Sequence, residues 1–228
     1  MNKLLSFSLV PFAATTTVIS VIMTSAPAKA ISFNFGGTQV DKSLGYWTTS
    51  VSGTTVNTFD SSLISGIYNN GGIITSGTTP GQYATPANNT SNYFSVGPST
   101  STPATIKQRN GRPAWNYFGL YWGSIDGYNS IEFYNNGRLL QSFTGSDIIA
   151  SANGNQTASN TNRYVNFFSD NSFGFNEIRL SSTSNAFESD NHAFREVPEP
   201  LTILGTGLAL GLGGLFKSKQ SKKQSVEA

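Results

Sequence analysis

Cysteine is absent from all 228 residues. The chain is neither stapled by disulfides nor equipped for thiolate chemistry, so a packed core must stabilise it. Histidine occurs once, as His192, and a His-type zinc site or a Ser-His-Asp triad would each rest on that single side chain. Within "ESDNHAF" it reads as a histidine on the surface of a strand. Charge is sparse, at 11% of the chain. Residues 31–196 hold eight basic against ten acidic side chains, so no basic field supports a nucleic-acid partner. The Ala/Leu/Glu/Lys runs that build helices are missing. No G-x-S-x-G, Walker loop or G-x-G-x-x-G occurs.

What is present is aromatic, polar and punctuated by turns. "ISFNFGG" alternates Ile31, Phe33 and Phe35 against Ser32 and Asn34, which predicts a half-buried strand. "NYFGLYWGS" is bulky on both faces and predicts a central strand covered on both sides. In "SIEFYNNGRLLQSF", Asn136-Gly137 supplies a positive-φ turn between two strands. "RYVNFFS", "FGFNEIRLSS" and "AFESDNHAF" each predict a further short strand. "SSLISGIYNN" (61–70) suits one or two helical turns. Residues 76–92 and 151–162 have too few apolar side chains to bury, and read as long loops or mobile segments. The expectation is an all-β domain over 31–196, an antiparallel β-sandwich of jelly-roll type.

Both ends of the chain differ from this middle. Residues 1–30 carry a lysine, a largely apolar run and Ala28-Lys29-Ala30, the pattern of a cleavable signal peptide. Residues 201–216 hold no charge and no helical periodicity. Sixteen helical residues reach about 24 Å, slightly short of the roughly 30 Å hydrocarbon core. Lys217, Lys219, Lys222 and Lys223 follow, as expected for a span whose C-terminus stays inside, and residues 224–228 form a short tail.

Candidate chemistry is thin. Asp126 with Glu132, or Glu188 with Asp190, would be the carboxylate pairs of a glycosidase. Glu188 and Asp190 share a strand face, where like charges on a solvated strand serve equally well. In "WGSIDGYN", Asp126, Gly127 and Asn129 form a tight turn. The alternative is calcium held by Asp126 and Asn129 with Asp190 and Asn191, although the D-x-D-x-D-G spacing is missing. Tyr46, Trp47 and Trp115 are aromatics that would stack on sugars if exposed, with core packing the ordinary role. No cofactor is expected, calcium being the one candidate the residues offer.

The order signal peptide, Pro198-Glu199-Pro200, Gly/Leu-rich span and terminal lysines resembles the PEP-CTERM sorting signal of exosortase-dependent bacterial proteins. The match covers residues 197–223. "YFGLYWGSIDGYNSIEFYNNG" and "AFESDNHAFREVPEP" are similar to a cyanobacterial group of such surface proteins. The resemblance implies passage through the secretion machinery, transient anchoring in the inner membrane, and processing by an exosortase at or near Pro198-Glu199-Pro200. It implies delivery to the cell surface or extracellular matrix and supplies no activity. Two function classes follow: a structural or weakly polysaccharide-binding surface protein without catalysis, or a secreted carbohydrate-active hydrolase or lyase.

Overall fold

The computed structural model describes residues 31–61, 64, 66–170 and 173–198. Residues 1–30, expected to be a signal peptide, and residues 199–228, with Glu199, Pro200, the apolar run and the terminal lysines, lie outside them. Among the described residues the protein is all-β, with fourteen strands and only two short helical turns.

The strands are β1 Ser32–Phe35, β2 Thr38–Gln39, β3 Trp47–Thr48, β4 Thr55–Asn57, β5 Tyr68–Asn70, β6 Ile73–Thr75 and β7 Tyr93–Val96. They continue as β8 Ala104–Lys107, β9 Trp115–Gly123, β10 Asn129–Asn135, β11 Arg138–Thr144, β12 Arg163–Phe168, β13 Glu177–Ser182 and β14 Phe187–Glu196. A first antiparallel sheet runs β1-β12-β9-β14-β7-β6, with β4 also on β14; a second runs β11-β10-β13-β8-β5. One apolar cluster joins Phe118, Leu120, Trp122 and Phe167 of the first sheet to Ile131, Phe133, Ile178 and Leu180 of the second. Phe133 packs on Phe167 with ring centroids 5.1 Å apart, so the inner faces meet directly.

Several expectations hold. All nine residues of β9 are buried, and it lies between β12 and β14. The β10–β11 hairpin closes through Asn136 and Gly137 at φ 50° and 79°, which keeps Asn135 paired with Arg138. Others fail. No helix forms in the described part of 61–70; Tyr68–Asn70 is β5, because the Tyr68 ring packs against Phe59 and Phe94. Tertiary contact overrides local propensity there.

β14 departs most from its expectation. Asp190 faces Tyr121 and Ala193 faces Gly119, so Asn191 and His192 together oppose one residue of β9. This bulge, with Asn191 at φ 49°, reverses the phase of the strand. Phe187 and Phe194, seven residues apart, therefore both point into the core. His192 points inward with Phe194 and is completely buried, not on the surface as its sequence neighbours suggest. Glu188 and Asp190 point outward, yet they too are buried, so the solvated-strand reading is also wrong. Trp115 is buried against Phe194 and is not available for stacking on a ligand.

Candidate functional site: an aromatic cavity on a polar layer

The outer face of the first sheet is built from tyrosines rather than aliphatics. Tyr93, Tyr117, Tyr121 and Tyr164 are all buried there, and each hydroxyl needs a partner when hidden from water. Tyr117 donates to Asn166 Oδ1 at 2.7 Å and meets Thr49 at the same distance. Tyr121 donates to the Ala87 carbonyl (2.6 Å), Tyr93 to Gly77 (2.6 Å) and Tyr164 to Asn191 (2.9 Å). Gly119 makes this layer possible: a Cβ there would lie within 2.8 Å of the Tyr117 and Tyr164 rings.

Tyrosine hydroxyls and other polar side chains of this face hold down two covering segments. Residues 76–92 form a long loop, as expected, and it is pinned as a cover although few of its side chains are apolar. Ala84 N–H donates to Glu188 Oε1 (2.8 Å), Ala87 N–H to Asn162 Oδ1 (3.1 Å), and Asn89 Nδ2 to Asp190 Oδ2 (2.8 Å). The second cover is the turn over residues 41–48. Asn191 Nδ2, turned out by the bulge, donates to the carbonyls of Leu44 (2.7 Å) and Trp47 (2.8 Å). Gly45, at φ 88°, sits directly on Asp190 and Asn191, where a Cβ would meet both side chains at 2.4 Å.

Between these covers lies a cavity of about 400 Å³. Phe35, Tyr46, Trp47, Tyr121 and Tyr164 supply its aromatic surface, while Asn88, Thr157, Ser159, Asn162 and Arg163 supply polar groups. Tyr46 and Trp47 are half-buried and meet edge to face at 5.8 Å; Tyr46 also meets Tyr121 at 6.4 Å. Tyr46 and Asn88 hold left-handed backbone at φ 67° and 61°, a conformation uncommon for residues with side chains. Asn162 ties the walls together. Its Oδ1 also accepts from Ser124 N–H (2.9 Å), and its Nδ2 donates to the carbonyls of Asn155 and Ala158.

A smaller cavity of about 210 Å³ opens beside it, lined in part by Tyr83, Ser124, Asp126, Tyr128 and Glu188. Burial raises the Glu188 carboxyl to about 7, against the two hydrogen bonds from Ala84 and Ser124 that favour its charged form. Desolvation raises Asp126 as well. Glu132 lies elsewhere, accepting from Tyr134 on β10 of the second sheet.

The proposed calcium ligands fall into two separate networks. Asn129 Oδ1 accepts from Asp126 N–H, and its Nδ2 donates to Ser182 and Ala186. Asp190 is held by Asn89, Ser91 and the Asn191 N–H. No hydrogen bond joins the Asp126–Asn129 turn to Asp190 or Asn191, and among the described residues no three His, Asp or Glu side chains gather as a metal site.

His192 does contact a serine: Nε2 lies 2.9 Å from Ser189 Oγ, and Nδ1 lies 3.0 Å from Tyr68 OH. Both Ser189 and His192 are wholly buried, with Phe59 and Phe118 packed on the imidazole. Burial lowers its pKa to about 3, so the ring is neutral. A serine–histidine contact sealed in the core meets no substrate.

Comparison of the chain with family models, curated proteins and solved structures returns no match. Of the three aromatics singled out in the sequence, Tyr46 and Trp47 come together in the cavity and Trp115 does not. Phe35, Asn88, Tyr121, Asn162, Arg163 and Tyr164 carry no local sequence signal for a site. Only the odd spacing of Phe187 and Phe194 hints at the bulge that places Asn191 under the Tyr46 turn.

Proposed function

We propose that this chain is an exported, exosortase-processed protein of the cell surface or extracellular matrix, which binds polysaccharide on a jelly-roll-like sandwich and catalyses no reaction. The observation that carries the binding reading is the cavity itself. Its volume falls within the roughly 300–1,000 Å³ of ordinary small-ligand sites, and Tyr46 and Trp47 line it half-buried and half-exposed. Aromatic faces stack on the apolar side of a pyranose, while Asn and hydroxyl groups hold its polar rim. The left-handed backbone at Tyr46 and Asn88 supports the same reading, since such conformations persist where the surroundings over-determine them and cluster at ligand clamps. The sorting route rests on the resemblance of residues 197–223 to the PEP-CTERM signal.

A second reading is favoured by one observation. Glu188, raised to about 7, and Asp126 line the same small cavity, as an acid and a base of a glycan hydrolase or lyase would. That cavity is about half the size of its neighbour and falls below the roughly 300–1,000 Å³ of ordinary small-ligand sites, which favours the binding reading at the larger one.

The test is retention of the purified full-length protein, in detergent, on immobilised matrix polysaccharide from the producing cell. Trp47→Ala is expected to weaken retention by about tenfold, the scale of one lost aromatic contact of about 1.4 kcal/mol. Release of reducing ends or unsaturated sugars, abolished in Glu188→Gln, would replace the binding reading with the enzymatic one.

A further inference from the structure

Arg163 opens β12 and sits at the wall of the aromatic cavity. Its guanidinium carbon lies 3.6 Å from the centroid of the Phe35 ring. That stack holds the group flat and leaves the in-plane N–H donors unused. Nε is buried with no hydrogen-bond partner, and Arg163 enters none of the ion pairs of the described residues. The other paired cations contrast with it. Arg112 grips Glu196 through two bonds of 3.0 and 2.8 Å, and Arg179 and Lys107 share Glu177. No Asp or Glu lines the cavity. A guanidinium pre-oriented on an aromatic face, partly removed from water and lacking a counter-ion, is a seat for an oxyanion such as a carboxylate or a sulfate ester.

Accepting the carbohydrate reading of the cavity, we infer that Arg163 selects an acidic sugar, a pyranose bearing a carboxylate or a sulfate ester. The sugar ring stacks on Tyr46 and Trp47, and its oxyanion takes the free in-plane donors of Arg163. Thr157, whose hydroxyl donates to Asn155 at 3.0 Å, and Ser159 line the same cavity and offer polar groups for neighbouring hydroxyls. This deepens the polysaccharide reading by assigning the charge of the ligand. A domain with more acidic than basic residues gains no such preference from its overall field, so the selectivity is local to one side chain.

The experiment measures binding of the full-length protein, in detergent, to three sets of oligosaccharides: uronate-containing, the same chains with carboxyls reduced to alcohols, and sulfated neutral chains. Binding of the uronate chains is expected to fall about ten- to hundredfold on carboxyl reduction, the scale of a charge-assisted bond. Arg163→Gln should bind intact and reduced chains alike, at the affinity wild type shows for reduced ones. Arg163→Lys should recover only part of the preference, because a point charge lacks the planar fork. Comparison of the uronate and sulfated arms decides which oxyanion is preferred. Equal binding of intact and reduced chains by wild type would overturn the role of Arg163 and leave the carbohydrate site standing. No binding of any set, with Trp47→Ala also without effect, would overturn both. Arg163→Gln melting with wild type separates a lost ligand contact from a lost fold.

Discussion

Glu188, Asp190 and His192 stand within five residues of one strand, all hidden from water, and they move stability in opposite directions with pH. Burial raises Glu188 from 4.5 to about 7 and Asp190 from 3.8 to about 8. Desolvation outweighs the serine hydroxyls that donate to these carboxyls and favour their charged forms, Ser124 at 3.0 Å from Glu188 and Ser91 at 3.1 Å from Asp190. The folded state thus holds these two protons more tightly than the unfolded chain. Their contribution is complete below about pH 4 and is lost as pH rises through 7 and 8. Burial of His192 works the other way, lowering it from 6.5 to about 3. Its contribution is present above pH 6.5 and lost as pH falls towards 3. Two carboxyls outweigh one imidazole where the windows overlap. Thermal melts of the full-length protein should therefore peak in midpoint near pH 4 to 5 and decline steadily to pH 8. Glu188→Gln should flatten that decline between about pH 4.5 and 7 and leave the Asp190 part up to pH 8, and a midpoint climbing from pH 5 to 8 would disprove the assignment of these protons.

The elements divide by how far apart their determinants lie in the chain. The β10–β11 hairpin is specified within fourteen residues, by alternating apolar positions and an Asn-Gly turn, and it forms where the sequence predicts. Gly137 holds φ 79° with open space around its Cα, so alanine there meets no atom and only the backbone is strained. Gly137→Ala should cost about 1–2 kcal/mol in denaturant unfolding and leave ligand binding unchanged; a loss below about 0.3 kcal/mol would show that the turn does not set the register. The cavity has no such local code. Asn191 reaches Leu44 and Trp47 across 147 and 144 positions, and Arg163 reaches Phe35 across 128. The segment 76–92 is the long loop its composition suggests, but composition does not show what holds it. It is fixed by hydrogen bonds to Glu188, Asn162, Asp190 and Tyr121, and a count of apolar residues is blind to those. The bulge in β14 hides its own effect in the same way, since one inserted residue inverts which side chains face the core.

At the scale of the whole molecule, the last strand leads straight to the proposed sorting motif. Glu196, clamped by Arg112, ends β14, and the Val197 N–H still donates to the Ala114 carbonyl at 2.8 Å. Pro198 follows and is exposed. The chain is thus tied to the sheet up to Val197 and released at the first proline, which cannot donate to a neighbouring strand and keeps the residue before it extended. A processing enzyme in the membrane would meet Pro198 directly after Val197, the last residue bonded to the sheet. On the proposed route, protein recovered from the cell surface should begin at Ile31 and lack the lysine-rich end, as intact-mass measurement would read directly. Changing Pro198 and Pro200 to alanine leaves the Glu196–Arg112 clamp in place, so the domain should still fold and melt as wild type. The variant should instead remain in the inner membrane with Lys217, Lys219, Lys222 and Lys223 attached. Surface delivery of the double variant at the wild-type level, with the same processed mass, would show that the prolines do not direct sorting. Surface protein retaining residues 201–228 would show a permanent anchor in place of a processed one.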